Sequence, residues 1–279
     1  MVDNMILYPN AKINIGLNVL RKREDGFHDL ETLFYPVLPQ EELPEGLSGT
    51  KDCLLDVLEI VESDQLQMHQ YGIEYPGDPM DNLCIKAYRA LKADFDIPPV
   101  AIHLYKRIPV GAGLGGGSSD AAFTLRGLNE MFSLGLSDER LAAYAATLGS
   151  DCAFFIYNKP MLGTGRGEIL EPADVPALQG YEIRLVYPPY FVSTGAAYGG
   201  IVPRDKRGAN GENFDSRQLL EMLSQPVESW RDCVVNDFET TVFAKIPQLA
   251  TYKEQLYKEG AVYASMSGSG SAFFGIFRK

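Results

Sequence analysis

Positions 11 to 19 alternate: Ala11, Ile13, Ile15, Leu17 and Val19 are apolar, and Lys12, Asn14, Gly16 and Asn18 between them are polar or small. A period of two predicts a strand with one buried face, and it puts Lys12 and Asn14 together on the opposite, polar face. Residues 52–62, 65–74 and 100–105 read as further strands. Asp81-Asn82 has side chains suited to cap a helix running to about Asp94, and Ser137 does the same for a helix to about Leu148. A third helix lies between them, roughly Ser118 to Phe132. In the second half the pattern predicts a strand at Tyr181–Tyr187, helices near 194–199, 215–224, 231–244 and 247–259, and closing strands at Ala261–Met266 and Ser271–Phe277. Residues 158–180 are rich in glycine and proline and read as a domain boundary; 203–213 read as an exposed loop. No internal repeat or low-complexity segment interrupts this α+β pattern.

Between the strand ending at Tyr105 and the following helix lies Pro109-Val-Gly-Ala-Gly-Leu-Gly-Gly-Gly-Ser-Ser-Asp120, with five glycines in seven positions. Glycine takes positive φ without strain and lets backbone approach a ligand closely. A glycine loop that feeds a helix N-terminus aims unpaired N–H groups and the positive end of the helix dipole at one point, which suits a nucleotide phosphate. No Gly-Lys-Ser/Thr closes the loop, so it is not a Walker A motif. Gly111-x-Gly113-x-x-Gly116 fits the dinucleotide fingerprint. A Rossmann unit would then need a strand, however, where this chain has Leu136-Ser137-Asp138-Glu139, another helix start. The Val-Ala-Ile-Lys and His-Arg-Asp partners of a protein-kinase loop are missing.

The chain has 279 residues, 46% of them hydrophobic, enough for one or two cores. Its net charge of −12 argues against a nucleic-acid partner. An anionic substrate would depend on local cations, for which Arg21-Lys22-Arg23 and Lys106-Arg107 are the candidate clusters. Cys53, Cys84, Cys152 and Cys233 have no metal-ligand or disulfide spacing, so a reduced cytoplasmic setting is expected. Met1-Val-Asp-Asn-Met-Ile-Leu has no basic region followed by an apolar core, and no run of about 20 apolar residues occurs, so neither a signal peptide nor a membrane partner is expected.

Three motifs stand far apart in the chain: Pro9-Asn-Ala-Lys-Ile-Asn14, the glycine loop, and Ser265-Met-Ser-Gly-Ser-Gly-Ser271. Together they resemble the GHMP small-molecule kinases over nearly the whole length. Asp25-Gly-Phe-His-Asp-Leu-Glu-Thr32, Lys106-Arg-Ile-Pro109 and Leu148-Gly-Ser-Asp151 are similar to the branch of that family acting on a cytidine diphosphate-linked alcohol. Phe27 stands where that branch has tyrosine, and Cys152-Ala153 where it has Val-Pro. The resemblance implies a two-domain α+β fold: residues 1–157 a nucleotide-binding domain, ribosomal protein S5 domain 2-like, and 158–279 a ferredoxin-like domain. It implies ATP and Mg²⁺ as cofactors and a small-molecule alcohol as acceptor.

The resemblance also assigns roles. Lys12 and Asp151 are the expected catalytic pair. Asn82, Lys106, Pro109, Val110, Gly111, Ala112, Gly113, Leu114, Gly115, Gly116, Gly117, Ser118 and Ser119 are the expected ATP site. Asn14, Phe27, His28, Phe34, Asp151 and Tyr198 are expected to bind the acceptor. The chemistry of the residues agrees with these roles. Asp151 follows a glycine turn and precedes the apolar Cys152-Ala-Phe-Phe-Ile156, where a partly buried carboxylate suits a general base; an isolated aspartate there would more often be a helix or turn cap, and it is the resemblance that reverses this. A lysine paired with it keeps it ionised and neutralises a transferring phosphoryl group. An aromatic ring at position 27 can stack on a pyrimidine. No carboxylate ligand for Mg²⁺ stands out, which leaves Ser118 or Ser119. His69 and His103 carry no motif. A kinase of mevalonate, homoserine or a sugar is the near alternative, and a non-catalytic nucleotide-binding regulator the distant one.

Overall fold

The computed structural model describes residues 4–39, 54–74, 77–206 and 218–279. Their element order begins β1 (Asn4–Leu7), β2 (Ala11–Lys22), β3 (His28–Val37), β4 (Val57–Glu62), β5 (Gln67–Gly72), α1 (Leu83–Asp94), β6 (Val100–Lys106), α2 (Gly116–Met131), α3 (Asp138–Leu148) and α4 (Cys152–Tyr157). It continues with β7 (Met161–Thr164), β8 (Ile169–Pro172), β9 (Tyr181–Val186), α5 (Thr194–Tyr198), α6 (Gln218–Leu223), α7 (Trp230–Cys233), α8 (Phe238–Lys245), α9 (Gln248–Lys258), β10 (Tyr263–Met266) and β11 (Phe273–Arg278). No described helix is long and apolar enough to cross a membrane.

Two compact units form, and they interleave along the sequence. The first comprises Met1–Ala11, Leu54–Val110 and Gly115–Asn158; the second comprises Lys12–Cys53, Gly111–Leu114 and Lys159–Lys279. In the first unit, one sheet has the strand order β1-β4-β6-β5, antiparallel except for the β5–β6 pair. Helix α2 lies directly on this sheet: a Cβ at Gly127 would come within 2.6 Å of Leu7 and 2.9 Å of Ile60. Its apolar side, with Ala121, Leu125 and Leu128 fully buried, provides the contact. The N-caps act as their residue types predict. Asn82 accepts from the Cys84 amide at the start of α1, and Ser137 from the Arg140 amide at the start of α3. A second helix, not a strand, follows α2, so this is not a Rossmann unit.

The second unit holds two sheets, ordered β2-β3-β7-β8 and β10-β11-β9. One core joins Leu17 and Val19 of β2 to Phe238, Val242, Leu249 and Leu256 of α8 and α9 and to Phe273 of β11. Strand β2 departs from the one-face expectation. Ala11 to Val19 are buried throughout, and Lys12, Asn14 and Asn18 are each no more than 3% exposed. The polar face is covered because its side chains are bonded inward, as with the Asn18 amide, which donates to Glu31 of β3 at 2.8 Å.

One further expectation is corrected. The helix expected over 231–244 is broken into α7 and α8. Between them the chain pairs with β2 instead: the Leu17 amide donates to the Val235 carbonyl and the Asp237 amide to the Leu17 carbonyl. The glycine- and proline-rich stretch 158–180 holds the hairpin β7–β8, in which glycine serves packing, since a Cβ at Gly163 would overlap the Phe34 ring. The expected exposed loop lies outside the described residues from 207 on, as do residues 52–53 and 215–217 of two expected elements.

Candidate active site

Within the second unit, three motifs that are remote in sequence converge. The Lys12 ammonium donates to Asn14 Oδ1 at 2.6 Å and to the Gly113 carbonyl at 3.0 Å. The Ser267 hydroxyl donates to the same Gly113 carbonyl at 2.8 Å and accepts from the Asn14 amide at 3.3 Å. Asn14 Nδ2 donates to Thr32 Oγ1, which in turn donates to the Gly16 carbonyl. Lys12 also lies 5.5 Å from the centre of the Phe34 ring. Asn236 straps the third motif in place by donating to the carbonyls of Met266 and Gly268. Thr32, Asn236 and Ser267 were not among the expected site residues. Ser267 had a signal, since it lies in a quoted motif; Asn236 lies in a stretch whose pattern reads as helix and had none.

The glycine loop owes its course to left-handed backbone. Gly111, Gly113 and Gly115 have φ of 70°, 78° and 71°. A Cβ at Gly113 would collide with the Ser267 carbonyl oxygen. The carbonyls of Ala112, Gly113 and Leu114 all accept hydrogen bonds, from the Ala272 amide, the Lys12 and Ser267 side chains, and the Lys12 amide. These bonds occupy the loop carbonyls, and a glycine loop whose carbonyls are so engaged is suited to offer its N–H groups to an anion.

The residues of the second unit expected to bind the acceptor fall into two groups. His28 stacks on Tyr198 with ring centres 4.9 Å apart, and Tyr198 meets Phe238 edge-on at 4.8 Å. Burial, and then the charge of Lys22, hold the His28 imidazole below its ordinary pKa. Phe27 is 55% exposed at the tip of a turn fixed by its own amide donating to Asp25, and the Arg166 guanidinium lies 5.0 Å from its ring centre. Arg21 and Arg23 pair with Asp25 and Asp29, so the expected basic cluster is largely neutralised. An open cavity of about 580 Å³ is lined by Arg21 to Asp25.

In the first unit, Gly115 caps α2 in a left-handed conformation with no side-chain cap, so the amides of Gly116, Gly117 and Ser118 at the positive end of the helix dipole take no part in a capping bond. Asp151 sits at the N-terminus of α4, half-buried. The next residue, Cys152, is hydrogen-bonded to the Ser118 side chain, which brings Asp151 beside the start of α2; burial pushes the Cys152 thiol up to about 11. Beside the helix start is a cavity of about 190 Å³, with Asn82, Lys106, Val110, Gly117 and Asp120 in its walls. Lys106 is not an open cation there. It is 2% exposed, and its ammonium is shared between Asp56 and Asp120, the latter at 2.6 Å. Burial works against its charge, but the two carboxylates outweigh that and raise its pKa above the ordinary lysine value.

No group of three or more histidine, cysteine or acidic side chains among the described residues is arranged to hold a metal ion. His69 and His103 stack with centres 4.5 Å apart on neighbouring strands.

The sequence profile of the GHMP kinases N terminal domain matches residues 82–159, and that of the GHMP kinases C terminal matches 216–279. A 4-diphosphocytidyl-2-C-methyl-D-erythritol kinase of Bacteroides fragilis is 48% identical over 274 residues, 98% of this chain and 92% of that protein. The kinase of the same name from Bacteroides thetaiotaomicron is 47% identical over 273 residues, with the same coverages. A crystal structure of 4-(cytidine 5'-diphospho)-2C-methyl-D-erythritol kinase superposes with a TM-score of 0.74 at 32% identity, covering 98% of this chain and 90% of that one. The homoserine kinase of Cytophaga hutchinsonii, at 19% identity and a TM-score of 0.60 over 100% of this chain and 86% of its own, shares the fold.

Proposed function

The chain belongs to the GHMP kinase family, and on that premise we propose that it transfers the γ-phosphate of ATP to the 2-hydroxyl of 4-diphosphocytidyl-2-C-methyl-D-erythritol, a step of non-mevalonate isoprenoid precursor synthesis. The observation that carries the reading is the meeting of Lys12, Asn14, Gly113 and Ser267, which ties the glycine loop to a lysine and an amide of the kind an alcohol kinase needs. The choice of acceptor rests on likeness to kinases of that name across the full length.

In this mechanism the loop amides from Gly111 to Ser118 hold the ATP phosphates. The base lies in the cavity bounded by Asn82, Lys106 and Val110. Of the residues at the helix start, the half-exposed Ser118 hydroxyl would be the protein ligand for Mg²⁺, which would offset phosphate charge when bound. Ser119 is fully buried and a poorer candidate. Asp151 accepts the proton of the 2-hydroxyl as that oxygen bonds to the γ-phosphorus and ADP departs. Lys12 supplies positive charge to the transferring phosphoryl oxygens. Phe27 stacks on the cytosine, while His28 and Tyr198 line the acceptor side. The enzyme acts in the cytoplasm.

ADP release measured with a panel of alcohols tests the reading. Turnover is expected with the cytidyl alcohol and only background with mevalonate, homoserine and sugars. Turnover of one of these others, and none of the cytidyl alcohol, would replace the acceptor and leave the family standing.

A further inference from the structure

The glycine loop has little of its own to fix it, since five of its residues lack a side chain and three take left-handed backbone. Its two stems, however, meet at a buried charge cluster. Asp56, completely inaccessible, accepts from the amides of Arg107 and Ile108 through Oδ1, at 2.6 and 2.9 Å, and from the Lys106 ammonium through Oδ2. Lys106 ends β6, the strand that leads into the loop. The same ammonium donates to Asp120 in α2, the helix that leads out of it. The helix is seated tightly on this stem: a Cβ at Gly116 would lie 2.9 Å from Ile108 Cγ2 and 3.2 Å from Lys106 Nζ. Asp56 is anchored in turn by its amide, which donates to the Pro9 carbonyl at 2.9 Å. All of these groups lie in the first unit.

We propose that Asp56 is a positioning residue for phosphate binding, and that through Lys106 and Asp120 it clamps both stems of the glycine loop so that the α2 amides are aimed before ATP arrives. Three features set this apart from a generic core ion pair. Asp56 spends one carboxylate oxygen on two backbone amides at the mouth of the loop, where an ordinary counter-ion would address the lysine alone. A single cation bridges the entry strand and the exit helix. Both ends of the loop are thereby fixed, and pre-organising a binding loop lowers the ordering cost that ligand binding must overcome. The proposal rests on the reading of Gly115 to Ser118 as the phosphate cradle.

The test is calorimetric binding of the imido analogue of ATP to the full chain and to Asp56→Ala and Asp56→Asn, with binding of the cytidyl alcohol and melting temperature measured on each. Asp120 remains as counter-ion to Lys106 in both variants, so both keep a balanced core. Asp56→Ala is expected to weaken analogue binding by roughly 10-fold or more, the worth of hydrogen bonds to a charged group. Asp56→Asn keeps an acceptor for the two amides and is expected to recover most of that loss. Cytidyl-alcohol affinity should stay within about threefold of native in both. Should Asp56→Ala fail to fold, a smaller but resolved loss of analogue binding in folded Asp56→Asn, with the alcohol unaffected, carries the same conclusion. A folded Asp56→Ala protein that binds the analogue as the native chain does would overturn the clamp, as would equal losses for both ligands; if only Asp56→Asn folds, undiminished analogue binding by it would do the same. A native chain that binds no analogue would overturn the kinase reading itself, and the two failures are thus distinct.

Discussion

At the scale of single residues the strongest consequence concerns Asp151. Asparagine there keeps the shape and loses the base, so Asp151→Asn is expected to lower kcat by roughly 10²–10⁴, the usual worth of a positioned acid–base group. Near-native turnover in steady-state assays would remove it from the mechanism. Phe27 makes a sharper case, because its 55% exposure separates stacking from packing. A ring that is half in solvent leaves no cavity behind it, so Phe27→Ala should melt within a degree or two of the native chain. If the ring stacks on cytosine, the loss is about 1–3 kcal/mol, or roughly a 5- to 150-fold rise in Kd for the cytidyl alcohol, with ATP binding unmoved. Normal cytidyl binding by that variant would end the stacking role. Lys12 and Asn14 were legible from alternation and motif. Asp56 was not: nothing about a lone aspartate between Leu55 and Val57 announces that it will face the end of a strand some 50 residues later.

At the scale of elements, capped helices were the most legible features, because Asn82 and Ser137 act on amides two or three residues away. Elements fixed by remote partners were less so. Strand β3 and the β7–β8 hairpin follow from pairing with one another, and the break between α7 and α8 follows from the pairing of Leu17 with the chain around Asn236. Both faces of β2 are buried because polar partners come from the glycine loop, from β3 and from the β10–β11 turn, all distant in sequence. The loop itself gives a prediction at this scale. Gly115 has φ of 71° at the cap of α2, so Gly115→Val imposes a side chain on left-handed backbone where phosphate is expected. ATP binding should weaken far more than cytidyl-alcohol binding when each is titrated separately. Equal losses would show that the substitution unfolds the domain and says nothing of phosphate.

At the scale of the whole molecule, the chain carries a net charge of −12, and the buried cluster under the glycine loop concentrates charge of both signs. Two carboxyls share one ammonium there. Burial pushes the Asp120 carboxyl up to about 8; the negative charge of Asp56 adds to this and the ammonium of Lys106 opposes it. Cys84 of α1 is the other titratable group facing Asp120, and burial keeps its thiol neutral. With Asp120 protonated, one cation and one anion remain and the cluster is neutral. The unfolded chain releases that proton near the ordinary carboxyl value of 3.8. A folded pKa above the unfolded one stabilises the native state in full below about pH 4, and that contribution drains away as pH rises through about 8. Asp120→Asn resembles the protonated form and cannot titrate. Chemical-denaturation midpoints of the two proteins at pH 5, 7 and 9 should therefore move progressively in the variant's favour. A midpoint difference that stays constant over this range would mean that Asp120 is ionised in the folded chain and that the cluster carries an uncompensated negative charge.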